Sequence, residues 1–292
     1  MKISNNHAHD LLRSLYIMAS VVEARDPYTG GHLWRVSQYS RILAQAAALS
    51  NKAVARIALG GFLHDLGKIG VPDSILTKPA RLTDDEYLAI KTHPDVGAHL
   101  LADHPLAGLV HDAIIAHHET PDGEGYPNQL SARDIPLDAR IVGICDAFDA
   151  MTSTRSYRTG MLPEEALMII HKGLGTQFDT ELGRLFISLG QQEYLNTIVR
   201  HSEPNIPMQE CPICGPTIVV TRSHQDGDKV YCRVCGNEAV VHRHRHQLSI
   251  KPTMRRGSAA ELEAVIDTEL INDLVNDNVA YIYDEEAARS IA

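Results

Sequence analysis

The sequence predicts an all-α domain of about two hundred residues, then a small β-rich module pinned by metal, then an acidic tail. Three observations predict it. Apolar residues recur at helical spacing from Leu11 to about Gln192, with no convincing strand. Four of the five cysteines form two Cys-x-x-Cys pairs between residues 211 and 235, among β-branched runs. From Ser258 to Ala292, nine Asp and Glu residues face a single Arg. The 292 residues are 44% hydrophobic but only 5% aromatic, which suits a helical core of Leu, Ile, Val and Ala.

The first helix runs from Leu11 to Ala24 on Leu12, Leu15, Tyr16, Met18, Ala19 and Val22, and Asp26-Pro-Tyr-Thr-Gly-Gly31 breaks it. A second runs from His32 to about Leu49. Ser50 caps a third, Lys52 to about Leu66, which ends at Gly67. Gly70 to Asp73 reads as a loop. Thr83-Asp-Asp-Glu86 is a capping box for a helix to about Lys91. Pro94 opens another to about Leu101, and Leu106 to His118 follows. A Gly/Pro loop lasts through Pro136. Asp138–Thr152, Pro163–Gly173 and Asp179–Gln192 complete the helical array.

Glu203-Pro-Asn-Ile-Pro207 reads as a linker. Residues 208–247 read as the β-rich module, with runs at Thr217–Thr221 and Glu238–Val241 and a turn at Asp226-Gly-Asp228. Lys251–Gly257 reads as a basic linker. Beyond it, Leu262, Val265, Ile266, Leu270 and Leu274 mark one face of an acidic helix, and Val279–Tyr283 a short strand.

Net charge is −10, but without the tail the chain is close to neutral, so no basic field points to nucleic acid. No apolar run reaches the roughly 18 residues of a membrane span. Met1–Asp10 is polar and lacks a secretory pattern, and the cysteine spacing suits metal in a reducing compartment. A cytoplasmic protein is expected. The helical pattern starts within a dozen residues of Met1, so regulation is expected to enter through the C-terminal segments or through partners.

The chemistry concentrates in two dipeptides, His64-Asp65 and His117-His118, each at a helix end. Adjacent helical residues point roughly 100° apart, so both side chains reach one centre only near the end of the helix. An Asp can bridge two cations with its two oxygens, and two such pairs face to face would hold ions about 3.5–4 Å apart. Asp146 sits in the apolar stretch Ile141–Ala150, where a carboxylate must be paired or bind metal. Asp149 follows on the same face.

These stretches resemble the HD-GYP family of metal-dependent phosphohydrolases. The resemblance runs from about Leu12 to Leu189. It rests on Asp26-Pro-Tyr-Thr-Gly-Gly-His32-x-x-Arg35-Val36, His64-Asp-Leu-Gly-Lys68-Ile-Gly-Val-Pro72 and Lys91-Thr-His93-Pro94. Two further stretches carry it: His117-His-Glu-x-x-Asp-Gly-x-Gly-Tyr-Pro127 and Asp146-Ala-Phe-Asp149-Ala-Met-Thr-Ser153-x-Arg155-x-Tyr157-Arg158. It implies an all-α HD-type fold over residues 1–203 and hydrolysis of cyclic di-GMP to pGpG, in some members on to GMP. It implies His32, His64, Asp65, His93, His117, His118 and Asp146 as ligands of two ions, iron or manganese, with Asp65 bridging them. Lys68 would stand by the scissile phosphate, Arg155 and Arg158 would grip phosphates, and Tyr126 would meet a nucleotide. Asp149 would orient a ligand or Lys68. Some members carry Glu where this chain has Tyr28, and there it helps hold a third ion; with Tyr at that position two ions are expected.

Cys211-Pro-Ile-Cys214 and Cys232-Arg-Val-Cys235, 17 residues apart, have the spacing of a four-cysteine zinc ribbon. Four thiolates saturate zinc, so that site is structural, and in so small a module the ion supplies folding energy. The ribbon, or the tail from residue 258, is a candidate surface for a protein partner. His242-Arg-His-Arg-His246 reads as a solvated strand edge, and Cys145 as core. Two other functions compete: a catalytically silent cyclic-dinucleotide sensor or adaptor, and a phosphohydrolase of another cyclic nucleotide.

Overall fold

The computed structural model describes residues 5–26, 30–78, 80–154, 158–245, 247–263 and 265–282. The helices are α1 (Asn5–Glu23), α2 (His32–Ala46), α3 (Asn51–Leu63), α4 (Asp73–Leu76), α5 (Asp84–Lys91) and α6 (His93–Leu100). Next come α7 (Ala107–Ala116), α8 (Leu137–Thr152), α9 (Pro163–Lys172) and α10 (Thr180–Gln191). Strands follow: β1 (His201–Glu203), β2 (Ile206–Pro207), β3 (Gln209–Glu210), β4 (Thr217–Ile218), β5 (Lys229–Tyr231), β6 (Asn237–His244) and β7 (Gln247–Arg256). The helix α11 (Thr268–Ile282) ends the described chain.

The central element is α3. Ser50 caps it, accepting the Ala53 N–H, and Val54, Ala55, Ile57, Ala58, Leu59, Phe62 and Leu63 are all buried. Beyond Arg56 the helix is apolar on every side, and such a stretch must be enclosed. Packed around it are α1, α2, α7 and α8, joined through one apolar core. The capping box at Thr83 forms with Glu86, and Asp179 caps α10 through the Glu181 and Leu182 amides.

The predicted third helix to Leu66 stops earlier, at Leu63. There the chain tightens into a 3-10 turn over Leu66–Gly70, which places His64 and Asp65 at the helix end. The predicted loop Gly70–Asp73 is in part helical, because Thr77 closes α4 on the Asp73 carbonyl through both its amide and its hydroxyl.

Two predicted linkers are structured. Glu203–Pro207 is a tight hairpin, with Asn205 at φ 63 and β1 paired to β2. Glu203 is buried there because Arg222 answers its carboxylate at 2.9 Å. Lys251–Gly257 lies mostly in β7, which pairs with β6 as the edge of the order β5-β6-β7. Its basic residues are exposed, so local composition hid a strand whose backbone partner is β6. Ile218, Val220, Val230, Ala239 and Val241 form a second small core with Cys211 and Cys232.

The tail also differs from expectation. Val265 is 86% exposed and the predicted face does not pack as a unit. Instead Ile271, Leu274, Val275 and Ile282 of α11 join the core of the helical array, against α1 and α3. The predicted strand at 279–283 is helical through Ile282, because helical spacing keeps that face inward; Tyr283 lies outside the described residues. Asn278 anchors the dock: it donates to the Tyr16 hydroxyl at 2.9 Å and accepts from Arg41 at 2.7 Å. Removing a buried partner of this kind costs about 1–3 kcal/mol. Asn278→Ala is therefore expected to lower the unfolding free energy by about 2 kcal/mol in urea titration. An unchanged midpoint would mean that α11 adds nothing to the fold.

Candidate metal centre

Four helices bring these side chains together. His64 and Asp65 leave the end of α3, His117 and His118 the end of α7, and His32 and His93 open α2 and α6. The α6 backbone comes close because residue 67 is glycine: a Cβ there would lie 1.8 Å from the His93 carbonyl oxygen. Any side chain at 67 would drive His93 away from Asp65. From α8, Asp146 and Asp149 face the start of α2.

Asp65 is the centre of the cluster. Its Oδ2 lies 3.5 Å from His32 Nε2 and 3.4 Å from His64 Nε2, while its Oδ1 lies 3.4 Å from His93 Nε2. Asp146 Oδ1 completes one side, 3.4 Å from His32 Nε2 and 3.7 Å from His64 Nε2. His93 Nε2 and His117 Nε2 approach to 3.2 Å on the other side, and His118 is close enough to share an ion with them. Two groups result, His32–His64–Asp146 and His93–His117–His118, with Asp65 between them, and donor atoms within each group lie within 4.8 Å of one another. Donors about 2.1 Å from a common ion stand roughly 3.0–3.4 Å apart, close to the spacings seen.

The imidazoles are aimed from behind. His64 Nδ1 donates to the Gly61 carbonyl at 2.8 Å, His93 Nδ1 to Ile90 at 2.8 Å, and His117 Nδ1 to Ala113 and Ile114 at 3.0 Å. A carbonyl can only accept, so each Nδ1 carries the proton and each Nε2 lone pair points into the cluster. His32 Nδ1 instead meets Asp149 Oδ2 at 2.7 Å. The Nε2 atoms of His32 and His64 are buried and have no hydrogen-bond partner among the described residues. A buried lone pair without a donor is costly, and a cation would satisfy both. The donor set thus fits divalent metal.

Electrostatics agree. Burial alone would raise the carboxyl of Asp65, but Lys68 and His64 hold it well below the usual carboxylate range. Asp146 is held low in the same way by His64 and His32. Burial and the neighbouring imidazoles push His117 down, and they push His118 to about 3, so both are neutral imidazoles. For His64 burial acts downward, but Asp65 and Asp146 outweigh it and raise it, the same negative charge that would draw a cation to its Nε2.

Around the cluster, Lys68 Nζ donates to Asp65 Oδ2 at 2.5 Å and remains 24% exposed. Tyr126 stacks on His118 at 4.6 Å between centroids, and Lys91 Nζ lies 4.8 Å over the Tyr126 ring. Arg158 donates to the Ala150 carbonyl at the end of α8. Arg155 and Tyr28 lie outside the described residues. Asp149 is bonded to His32 and Arg35, and not to Lys68. Cys145 is fully buried, and burial pushes its thiol up.

Three functional features escaped the sequence. Arg35 holds Asp149 through Nε at 2.6 Å and Nη2 at 3.0 Å. Glu119, buried, accepts the Asn128 and Leu130 amides and so fixes the loop bearing Tyr126. Glu23 accepts the Leu33 amide and lines a cleft with Asp26, His32, Asp65 and Lys68. Arg35 and Glu119 stood in the quoted motifs without a role, and Glu23 was an ordinary charged residue in the chain. Elsewhere, Cys211, Cys214, Cys232 and Cys235 converge, with Sγ pairs at 3.7 and 3.5 Å. Of the His242–His246 stretch, His242 to His244 lie on β6, and His246 lies outside the described residues.

The model of a family described as HD domain matches residues 16–182. The cyclic di-GMP phosphodiesterase response regulator RpfG of Xanthomonas campestris is 40% identical over 164 residues, covering 56% of this chain and 43% of that protein. A cyclic di-GMP phosphodiesterase of Pseudomonas aeruginosa is 38% identical over 196 residues, or 63% of this chain and 47% of that one. A 3′3′-cGAMP-specific phosphodiesterase of Vibrio cholerae is 37% identical over 162 residues, or 55% and 35%. The chain spans less than half the length of each of these relatives. Among the described residues no helix is long and apolar enough to cross a membrane.

Proposed function

This chain belongs to the HD domain family, and on that premise we propose that it hydrolyses a cyclic dinucleotide, cyclic di-GMP, to the linear product at a pair of divalent ions. The single observation that carries the proposal is the split of Asp65. Two imidazole Nε2 atoms address one of its oxygens and a third addresses the other. A lone structural ion needs no such bridge. We assign His32, His64, Asp65 and Asp146 to one ion and Asp65, His93, His117 and His118 to the other. Nitrogen and carboxylate donors suit iron or manganese. We assign zinc to the four cysteines, where softer thiolates close a tetrahedron.

The ions, when bound, supply activation of water and neutralisation of charge on the phosphate oxygens. The chain supplies the rest. Asp149 and the backbone carbonyls fix the direction of the imidazoles. Lys68, on the exposed side of Asp65, offers its ammonium to the phosphate and a proton to the departing 3′ oxygen as the P–O bond breaks. Tyr126 offers a ring to a nucleotide base. Arg155 and Arg158 are read as phosphate grips, with Arg158 having to leave the Ala150 carbonyl to act so. The division into a helical part to about residue 203, a four-cysteine module and an acidic tail belongs to the same proposal, with β7 added to the module and α11 docked on the helices. So do a cytoplasmic location and a protein partner for the module.

A second substrate class has specific support, because a relative named as cGAMP-specific matches about as well as those named for cyclic di-GMP. Turnover of both dinucleotides by protein loaded with Fe²⁺ or Mn²⁺ separates the readings. Linear product from cyclic di-GMP supports the proposal; product from cGAMP alone replaces the substrate; tight binding without product supports a silent sensor. Lys68→Ala is expected to lower kcat about 10²-fold while both ions stay bound. A kcat unchanged at saturating substrate would remove Lys68 from the mechanism.

A further inference from the structure

The guanidinium of Arg35 is only 1% exposed and faces two ways. Its Nε and Nη2 clamp both oxygens of Asp149, at 2.6 and 3.0 Å, and Asp149 Oδ2 holds His32 Nδ1 at 2.7 Å. On the other side Nη1 donates to the His201 carbonyl of β1 at 2.9 Å and to the Met208 sulfur at 3.1 Å, as well as to the Gly30 carbonyl just before α2 at 3.1 Å. The guanidinium is planar and rigid, so the position of one face dictates the other. Met208 stands three residues before Cys211, joined to it only by β3. The same stretch touches the helical part twice more. Gly31, at φ 75, lies so close to β1 that a Cβ would come within 2.6 Å of Ser202 Cα, one residue before His32. Glu210 accepts the Thr154 hydroxyl at 2.9 Å, just past the end of α8. Residues 201–210 therefore brace the start of α2 and the end of α8, the two elements that carry His32, Asp146 and Asp149.

Among the described residues, the other half of the centre is tied differently. His93 and His117 are aimed by carbonyls of Ile90, Ala113 and Ile114, all within helical segments of the array. We propose that Arg35 is a positioning residue through which an ion in the four-cysteine module sets the affinity of the His32 half of the centre, and of that half alone. The inference rests on the dinuclear reading above. The Sγ pairs Cys211–Cys235 and Cys214–Cys232, at 3.7 and 3.5 Å, have the spacing of thiolates around one ion, and such an ion would pin the two knuckles together. Without it the stretch 208–211 loses its anchor and Nη1 loses the Met208 sulfur, so the Arg35–Asp149 pair, still tied to the Gly30 carbonyl, holds the His32 ring less firmly.

The test uses the full chain and Mn²⁺ titration of metal-stripped protein, followed by electron paramagnetic resonance and calorimetry. Wild type is expected to bind two Mn²⁺ at the helical centre. Cys214→Ser, checked for loss of the module's ion, is expected to weaken one of the two by about 10–100-fold and to leave the other nearly unchanged. Met208→Ala, a milder change that keeps the cysteines, is expected to shift the same ion in the same direction. Arg35→Lys reproduces the one-ion loss, and joined to Cys214→Ser it adds little, because both act on one linkage. Equal affinities for both ions after loss of the module's ion would overturn the proposal. So would weakening of both together with loss of helical circular dichroism, or fully multiplicative effects in the double variant. If wild type itself binds no pair of Mn²⁺ ions, the dinuclear reading fails first, and the wild-type titration alone shows it.

Discussion

We expect Asp65→Ala to lower turnover of a cyclic dinucleotide by more than about 10³-fold, with His64→Ala close behind. The magnitude follows from what Asp65 does. One oxygen lies toward the His32 and His64 Nε2 atoms and the other toward that of His93, so on the proposed dinuclear reading its removal would take away the link between the two ions. Several kilocalories of charge stabilisation on the phosphate then disappear, at about 1.4 kcal/mol per tenfold in rate. Lys68 also loses the carboxylate that holds it at 2.5 Å. The measurement is single-turnover hydrolysis by metal-loaded protein, with metal content determined on the same sample. Loss of activity with both ions still bound would make Asp65 a base and not a bridge. Retained activity would sink the dinuclear account.

The second large effect is on stability. Asp149→Asn is expected to lower the unfolding free energy by about 3–5 kcal/mol and the melting temperature by about 10 °C. Asp149 and Arg35 are both about 1% exposed, so removing the carboxylate charge leaves a buried guanidinium unanswered. The pH dependence has a definite sign. Burial acts to raise the Asp149 carboxyl, but Arg35 and His32 outweigh it and hold the group below its ordinary range. A depressed folded-state pKa contributes stability that is fully present above the unfolded value, near 3.9, and is lost as pH falls through the folded value. The gap between wild type and Asp149→Asn should therefore be constant from neutral pH to about 4 and narrow below it, read by urea titration at several pH values. A gap that narrows above pH 5 would contradict that assignment. The variant should also bind one ion about 10–100-fold more weakly, because His32 loses its orienting partner.

How much of this was visible in the chain depends on how local the cause was. Ser50, Thr83 and Asp179 announced helix starts because a cap is a bond to an amide two or three residues on. The dipeptides at 64–65 and 117–118 announced ligands because each pair occupies one helix end. Arg35 stood in the quoted motif but its role was not legible, since its partners Asp149, His201 and Met208 lie 114, 166 and 173 residues away. The stretches 203–207 and 251–257 read as linkers because Pro, Asn and exposed Lys or Arg dominate them. Their strand character comes from pairing with β1 and β6, which no local pattern records.

The order of residues by itself determined the helical array, the donor types and the spacing of the four cysteines, because helix periodicity, capping and ligand chemistry act over a few residues. Tertiary packing decided which oxygen of Asp65 meets which histidine, which face of α11 docks, and that residues 201–210 brace the His32 side. Those outcomes depend on close approach between distant backbones, as at Gly67 against His93 and Gly31 against Ser202, and such approach is set by the packed whole.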